Sequence, residues 1–151
     1  MTEVTEGSKA PTFDIPAADG GRATVSGPTV VFFYPKADTP GCTNEAIDFS
    51  THIDAFAAAG VQVIGISRDP VKKLDRFKAK HDLKVILGSD EAEAVTEAYG
   101  VWVEKTLYGR QYMGIERATF LIDGASVVRK VWRQVRVKGH AEAVLAAAKE
   151  V

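Results

Sequence analysis

The chain has 151 residues, with 19 lysines and arginines against 20 aspartates and glutamates, a net charge of −1, and 46% apolar residues. This is the composition of one globular domain with its own core, and it excludes disorder, collagen and coiled coil. The balanced charge gives no footing for nucleic-acid binding, no apolar run nears the ~20 residues that span a bilayer, and the acidic start, Met1 to Glu6, is not expected to be a secretory signal.

In chain order, Val4 to Lys9 reads as a short polar lead-in. Phe13 to Ile15 and Ala23 to Ser26 flank Asp19-Gly20-Gly21, the composition of a hairpin turn. Thr29 to Tyr34 is an almost unbroken β-branched and aromatic run, which predicts a strand buried on both faces of a sheet. Thr39 and then Pro40 suit the N-cap and first position of a helix. Ala46, Phe49, Ile53, Phe56 and Ala57 are spaced for one face of that helix, and Gly60 sits where a glycine cap would end it. Val61 to Ile66 predicts a second core strand. Asp69-Pro70 repeats the cap-then-proline signal and opens a helix with Val71, Leu74 and Phe77 inward. Lys84 to Leu87 reads as a strand, and Ser89 or Asp90 as the cap of a helix ending before Gly100. Ala118 to Ile122 and Val127 to Trp132 predict two strands joined at Asp123-Gly124, and His140 to Lys149 an alanine-rich helix. Strand–helix alternation implies a parallel core, and the late strand pair an antiparallel edge: a mixed α/β sandwich forming one domain over residues 1–151.

Cys42 is the one cysteine. A disulfide framework within the chain and a cysteine-rich zinc site are therefore excluded, and a reducing compartment, the cytoplasm, is expected. With Thr39 as N-cap, Cys42 falls at the third helical position. Unpaired N–H groups and the partial positive charge of a helix end favour a thiolate there. The Thr39 hydroxyl is expected beside the sulfur. A second reading competes: Cys42, Ala46, Phe49, Ile53 and Phe56 follow a helical rhythm that, taken alone, favours a small core hydrophobe. Yet Pro35, Thr39, Pro40, Gly41 and Cys42 crowd the carboxyl end of a buried strand, where open α/β sheets bind ligands. Thr39-Pro40-Gly41-Cys42 also has the form of a thioredoxin-type Cys-x-x-Cys with a hydroxyl in place of the first sulfur.

The stretch Phe33-Tyr34-Pro35-Lys36-Ala37-Asp38-Thr39-Pro40-Gly41-Cys42-Thr43-Asn44-Glu45-Ala46 resembles the active-site segment of the peroxiredoxins. Pro35, Thr39 and Cys42 meet the family pattern Pro-x-x-x-Thr-x-x-Cys. Tyr108 to Asp123 resembles the family's arginine-bearing segment, with Arg117 at the arginine, and Val131-Trp132-Arg133 through His140 resembles its C-terminal part. The branch resembled is peroxiredoxin Q, or bacterioferritin comigratory protein. The resemblance spans nearly the whole chain. It implies a thioredoxin-like fold with an N-terminal β-hairpin, and a thiol peroxidase acting on hydrogen peroxide and organic hydroperoxides. Cys42 would attack the terminal peroxide oxygen and become a sulfenic acid. Thr39 and nearby backbone N–H groups would hydrogen-bond sulfur and peroxide, Arg117 would hold both, and Pro35 would cover the sulfur. Glu45 would orient the polar network, and Gly41 is a further supporting residue. Glu45 and Arg117 also have plainer readings, as a first-turn glutamate favoured by the helix dipole and as a solvated strand arginine.

Many members of the branch carry a resolving cysteine five residues after the first, and here that position is Ile47. The resemblance thus implies a one-cysteine mechanism, with the sulfenic acid reduced by an external thiol: a thioredoxin, a glutaredoxin-like protein or a small thiol. No metal or organic cofactor is implied, and a monomer or weak dimer is expected. Two rival functions remain at the level of sequence: a monothiol reductase acting on glutathionylated substrates, and a non-enzymatic thioredoxin-like module with a structural Cys42. His52, His81 and His140 lack metal-ligand spacing. Glycines 20, 21, 60, 65 and 100 are expected at turns or helix ends and form no phosphate loop. Arg129 to Lys138 make a basic strand and Lys72 to Lys80 a basic helix face, read as solvated surfaces or, alternatively, a phosphate-binding one.

Overall fold

A computed structural model describes residues 4–151; Met1 to Glu3, the first half of the acidic start, lie outside the described residues. Asp14–Pro16 (β1) and Arg22–Thr24 (β2) pair antiparallel, with Ile15 opposite Ala23. Between them Ala18–Gly20 makes a 3-10 turn with Asp19 at φ 63. The hairpin is the expected one, with its strands shifted by a residue or two. Then follow β3 (Thr29–Phe33), α1 (Pro40–Thr51), α2 (Ile53–Ala58), β4 (Gln62–Ser67), α3 (Val71–His81), β5 (Ile86–Ser89), α4 (Ala94–Ala98), β6 (Trp102–Leu107), β7 (Arg110–Ile115), β8 (Ala118–Ile122), β9 (Val128–Trp132) and α5 (His140–Ala148).

The central sheet has the order β5-β4-β3-β8-β9. β3, β4 and β5 run parallel, while β8 pairs antiparallel with both β3 and β9. Every residue of β3 is buried. Val30 and Phe32 enter one core and Val31 and Phe33 the other, the two-residue alternation of a strand covered on both faces. Phe49 of α1, Leu74 and Phe77 of α3 and Val144 of α5 pack on the first face. Val95 and Tyr99 from the α4 segment and Ile115 at the end of β7 pack on the second. Phe32 stacks on Phe49 with ring centroids 4.6 Å apart, which ties the central strand to the helix that follows it.

Four local expectations are corrected. The helix expected to run unbroken to Gly60 is interrupted at His52 (φ −99, ψ 11). There the Thr51 hydroxyl donates to the Ile47 carbonyl at 2.9 Å, a bond to the preceding turn that bends helices. Gly60 still ends the pair, at φ 75, with its N–H on the Ala57 carbonyl at 2.9 Å. Asp69 does not cap α3, which begins at Val71 after an extended Pro70 (φ −69, ψ 155). The strand expected at Lys84 to Leu87 is β5, two residues later. The helix after it is capped at a distance, the Asp90 carboxylate accepting the N–H groups of Val95 at 3.1 Å and Thr96 at 2.7 Å. Gly65 lies inside β4 rather than at a turn, with the Phe32 ring 2.5 Å from where a Cβ would stand.

One pair of strands was not expected. β6 and β7 form an antiparallel hairpin from Trp102 opposite Ile115 to Leu107 opposite Arg110. Tyr108 and Gly109, at φ 52 and 75, make the two-residue turn whose twist suits a hairpin. Among the described residues no helix is long and apolar enough to cross a membrane.

Candidate active site

The site forms where β3 hands over to α1. Tyr34 extends the strand, its N–H on the Ile66 carbonyl at 3.2 Å, and Pro35, half-buried, opens the loop to Thr39. Asp69 holds this loop from outside: its carboxylate accepts the Ala37 N–H at 2.8 Å and the Ser67 hydroxyl at 2.7 Å. Asp38 takes a left-handed backbone (φ 65), and its carboxylate meets Lys80 Nζ at 2.9 Å and His81 Nε2 at 3.0 Å. Those two partners hold the Asp38 carboxyl below its ordinary range.

Thr39 has the extended backbone of an N-cap (φ −92, ψ 155), and Pro40 begins the helix. Its carbonyl accepts the Thr43 N–H at 2.8 Å, but its hydroxyl makes no capping bond. It donates instead to the Lys36 carbonyl at 2.7 Å, so the expected hydrogen bond from Thr39 to the sulfur is replaced by a lock on the loop. The first turn of α1 therefore keeps N–H groups that no threonine side chain satisfies.

Cys42 sits in that turn, 1% exposed. Arg117 reaches it from the two-residue link between β7 and β8: Nη2 donates to Cys42 Sγ at 3.3 Å and Nη1 to Glu45 Oε1 at 2.7 Å. One guanidinium thus joins two side chains of one helical face. Gly41 makes room for it, since a Cβ there would stand 3.2 Å from Arg117 Nη2. The arginine's neighbour Glu116 is clamped as well. Its carboxylate accepts Arg133 Nε at 3.1 Å and the Gln134 N–H at 2.9 Å, and its own N–H donates to the Val101 carbonyl at 2.7 Å.

Glu45 is as buried as the sulfur, and its second oxygen, Oε2, has no hydrogen-bond partner among the described residues. Burial pushes its carboxyl up to about 7, against the opposing pull of Arg117. Burial works against the Arg117 charge too, yet Glu45 and Cys42 together hold the guanidinium above the ordinary arginine range.

Cys42, Arg117, Glu45 and Gly41 are therefore brought together, Pro35 and Thr39 lie in the loop that leads into the same helix, and the Thr39 hydroxyl points away from its expected partner. Ile47, at the position of the resolving cysteine, is 38% exposed. Two contributors went unread in the sequence. Lys105 of β6, half-buried, shares an electrostatic environment with Arg117 and Cys42; burial first and Arg117 second lower its ammonium below the usual lysine range. Tyr34, read only as a strand residue, lies within the field of Cys42 and Glu45, and burial raises its phenol far above the ordinary range, so it stays neutral. The Trp102-to-Ile115 hairpin that delivers Lys105 was the missing signal. Among the described residues no three metal-binding side chains gather.

A five-stranded mixed sheet presenting one buried thiol at a helix start, beneath an arginine, is the framework of a thiol enzyme of thioredoxin-like fold. The AhpC/TSA family pattern matches residues 7–131. Peroxiredoxin Bcp of Xanthomonas campestris is 44% identical, over 99% of this chain and 97% of its own, and that of Escherichia coli 40% identical, over 96% of each. The solved structure of a cysteine-to-serine mutant of Xylella fastidiosa PrxQ matches with a TM-score of 0.92 at 34% identity, covering 99% of this chain and 98% of that one. That of the X. campestris bacterioferritin comigratory protein, described for its alkyl peroxide reduction activity, matches at 0.86 and 42% identity, covering 91% and 90%. The chain belongs to the AhpC/TSA family, in its Bcp or peroxiredoxin Q branch. It is a thiol-dependent peroxidase.

Proposed function

We propose that Cys42 is the peroxidatic residue and that it reduces hydrogen peroxide and organic hydroperoxides. The observation that carries this is the Arg117 bridge, 3.3 Å from Sγ and 2.7 Å from Glu45. The Cys42 thiolate attacks the terminal peroxide oxygen. The S–O bond forms as the O–O bond breaks, and the departing oxygen takes up a proton and leaves as water or an alcohol. Cys42 is oxidised to the sulfenic acid and the peroxide is reduced. Arg117 faces the charge on the sulfur before the step and on the oxygens during it, in a site nearly closed to water. Glu45 and Gly41 fix where the guanidinium sits. Pro35 shields the sulfur, and Thr39 holds the loop in place through Lys36 and turns its hydroxyl to the peroxide when one binds.

With one cysteine in the chain, the sulfenic acid condenses with an external thiol to a mixed disulfide and water. A second thiol then releases Cys42. Thioredoxin, a glutaredoxin-like protein and a small thiol all satisfy that chemistry. The alkyl peroxide activity described for the X. campestris relative supports the organic substrates. The proposal is of one thioredoxin-like domain working in the cytoplasm as a monomer or weak dimer, without metal, organic cofactor, nucleic acid or membrane. Cys42→Ser tests it. The variant is expected to fold, with an unchanged circular dichroism spectrum, and to consume no peroxide in the presence of thiol. Substantial turnover by the pure variant would overturn the mechanism.

A further inference from the structure

A basic groove of about 400 Å³ opens on the outer face of α3, lined by Pro70, Lys72, Lys73, Arg76, Phe77 and Lys80, with Asp38 at its rim. A volume of this kind suits a ligand of tripeptide size. The charges are not equivalent. Lys73 is paired with Asp69 at 3.2 Å, and Lys80 with Asp38 at 2.9 Å, so the acid at the rim is already compensated by Lys80 and by His81. Lys72 and Arg76, exposed and one helical turn apart, have no acidic partner among the described residues. The groove therefore presents uncompensated positive charge beside Pro70, with the buried Phe77 ring beneath it.

Its position bears on Cys42. Asp38, on the rim, stands four residues before Cys42 on the loop that Asp69 pins in place. Four residues of chain span at most about 14 Å. The Phe77 ring of the floor lies 6.2 Å from the Tyr34 ring, and the Tyr34 phenol shares the electrostatic field of Cys42. The groove and the sulfur are thus joined by one short loop and one pair of neighbouring rings.

We infer that this groove is the docking site for the reducing thiol, and that the thiol is a small molecule carrying carboxylates. The inference rests on the one-cysteine reading above and names the reductant's chemical class. Two carboxylates meet Lys72 and Arg76, and the thiol extends past Asp38 to the oxidised Cys42. There its sulfur displaces the sulfenic oxygen, which leaves as water, and an S–S bond forms. A second molecule of the thiol takes over that bond, restores the Cys42 thiol and leaves as the symmetrical disulfide.

The test separates the two half-reactions. The full chain is oxidised with one equivalent of hydrogen peroxide, and appearance of the sulfenic acid reads the peroxidase mechanism by itself. Its reduction is then timed with glutathione, which has two carboxylates, with the cationic thiol cysteamine and with thioredoxin, at low salt and at 0.5 M salt. In Lys72→Glu/Arg76→Glu the glutathione rate is expected to fall about fivefold or more at low salt, with the cysteamine rate unchanged or higher and the difference closing at high salt. The oxidation step stays at the wild-type rate. Binding is read independently of turnover, by backbone amide shifts of the reduced protein titrated with S-methylglutathione. Shifts centred on residues 72 to 80 are expected, and their loss in the double variant. Unchanged glutathione kinetics in the variant, or no shifts at that face at millimolar ligand, would overturn the inference, as would a variant that is slowed only toward thioredoxin. Failure of the wild type to form the sulfenic acid would instead sink the peroxidase mechanism and leave the shift titration to decide the groove.

Discussion

The two halves of the Cys42–Arg117 pair come from unlike parts of the molecule. Cys42 belongs to a helix laid on the central sheet, where Phe32, Phe49 and Phe56 are fully buried. Arg117 follows a two-stranded hairpin whose tip stands in solvent, with Tyr108 94% exposed. The hairpin's anchors to the rest of the fold lie at its root. There Arg68 lies over the Trp102 ring at 3.5 Å, and Glu116 is clamped by Arg133 and Val101. The sulfur is thus positioned by packing and the arginine by polar bonds and one cation–π contact. Packing resists displacement over a wide area, whereas a few directed bonds set one side chain's direction.

The contrast can be broken most severely from the packed side. Phe49→Ala is expected to destabilise the fold by about 3–5 kcal/mol, the range for a fully buried aromatic, whereas Leu107→Ala near the hairpin tip should change it by less than about 0.5 kcal/mol. Urea unfolding of both variants measures the gap, and equal losses would mean that the tip packs against something. The polar side yields a smaller free-energy effect located in the chemistry. Arg117→Met is expected to slow oxidation of Cys42 by peroxide about 10²-fold, the scale for removing one preorganised donor, and to cost about 1–3 kcal/mol of stability because both Glu45 oxygens are then buried without a partner. Stopped-flow oxidation and thermal unfolding separate the two.

The smallest expected effect lies at the junction between the halves. Glu45 holds its proton up to about 7, above the 4.5 of an ordinary glutamate. Between those values the folded state binds more protons than the unfolded one, so this group's contribution to stability is present at low pH and is lost as the pH rises through 7. Glu45→Gln should therefore flatten the fall in stability between about pH 5 and 8, by denaturant midpoints compared at each pH. His140, in contact with Thr119 Oγ1 at 2.8 Å, works in the opposite direction. Burial first and Arg117 second push it down to about 4, so its contribution is lost as the pH falls. Comparing Glu45→Gln with wild type cancels the His140 slope. If the two profiles run parallel, the Glu45 carboxyl is not held protonated.

The same division explains what could be read in the sequence. β3, β4, β8 and the starts of α1 and α5 announced themselves because their apolar residues face a core, and burial leaves a periodic trace. The β6–β7 hairpin leaves none, since both of its faces are half in water and alternation carries no apolar signal; Tyr108-Gly109 was its only mark. Polar aim was equally hidden. Nothing in the order of residues told the Thr39 hydroxyl to choose the Lys36 carbonyl, or Asp90 to reach past Glu93 to Val95 and Thr96. Cys42 stood out as the one cysteine at a helix start, but Arg117 and Glu45 were named through family resemblance, and 72 residues of chain separate Glu45 from Arg117. Lys105 went unnamed because the hairpin that delivers it did.

Gly65, inside β4, bears on how closely the active-site helix packs on the sheet. The Phe32 ring occupies the space where a Cβ of residue 65 would be, and the other face of that ring supports Phe49 of α1. Strand, ring, ring and helix form a stack whose thickness is set at its base by one hydrogen atom. A methyl group at position 65 would press on this column and on the helix that carries Cys42 and Glu45, and through Glu45 on the Arg117 guanidinium as well. The 3.3 Å contact between sulfur and guanidinium thus rests on a column that begins at the strand next to β3.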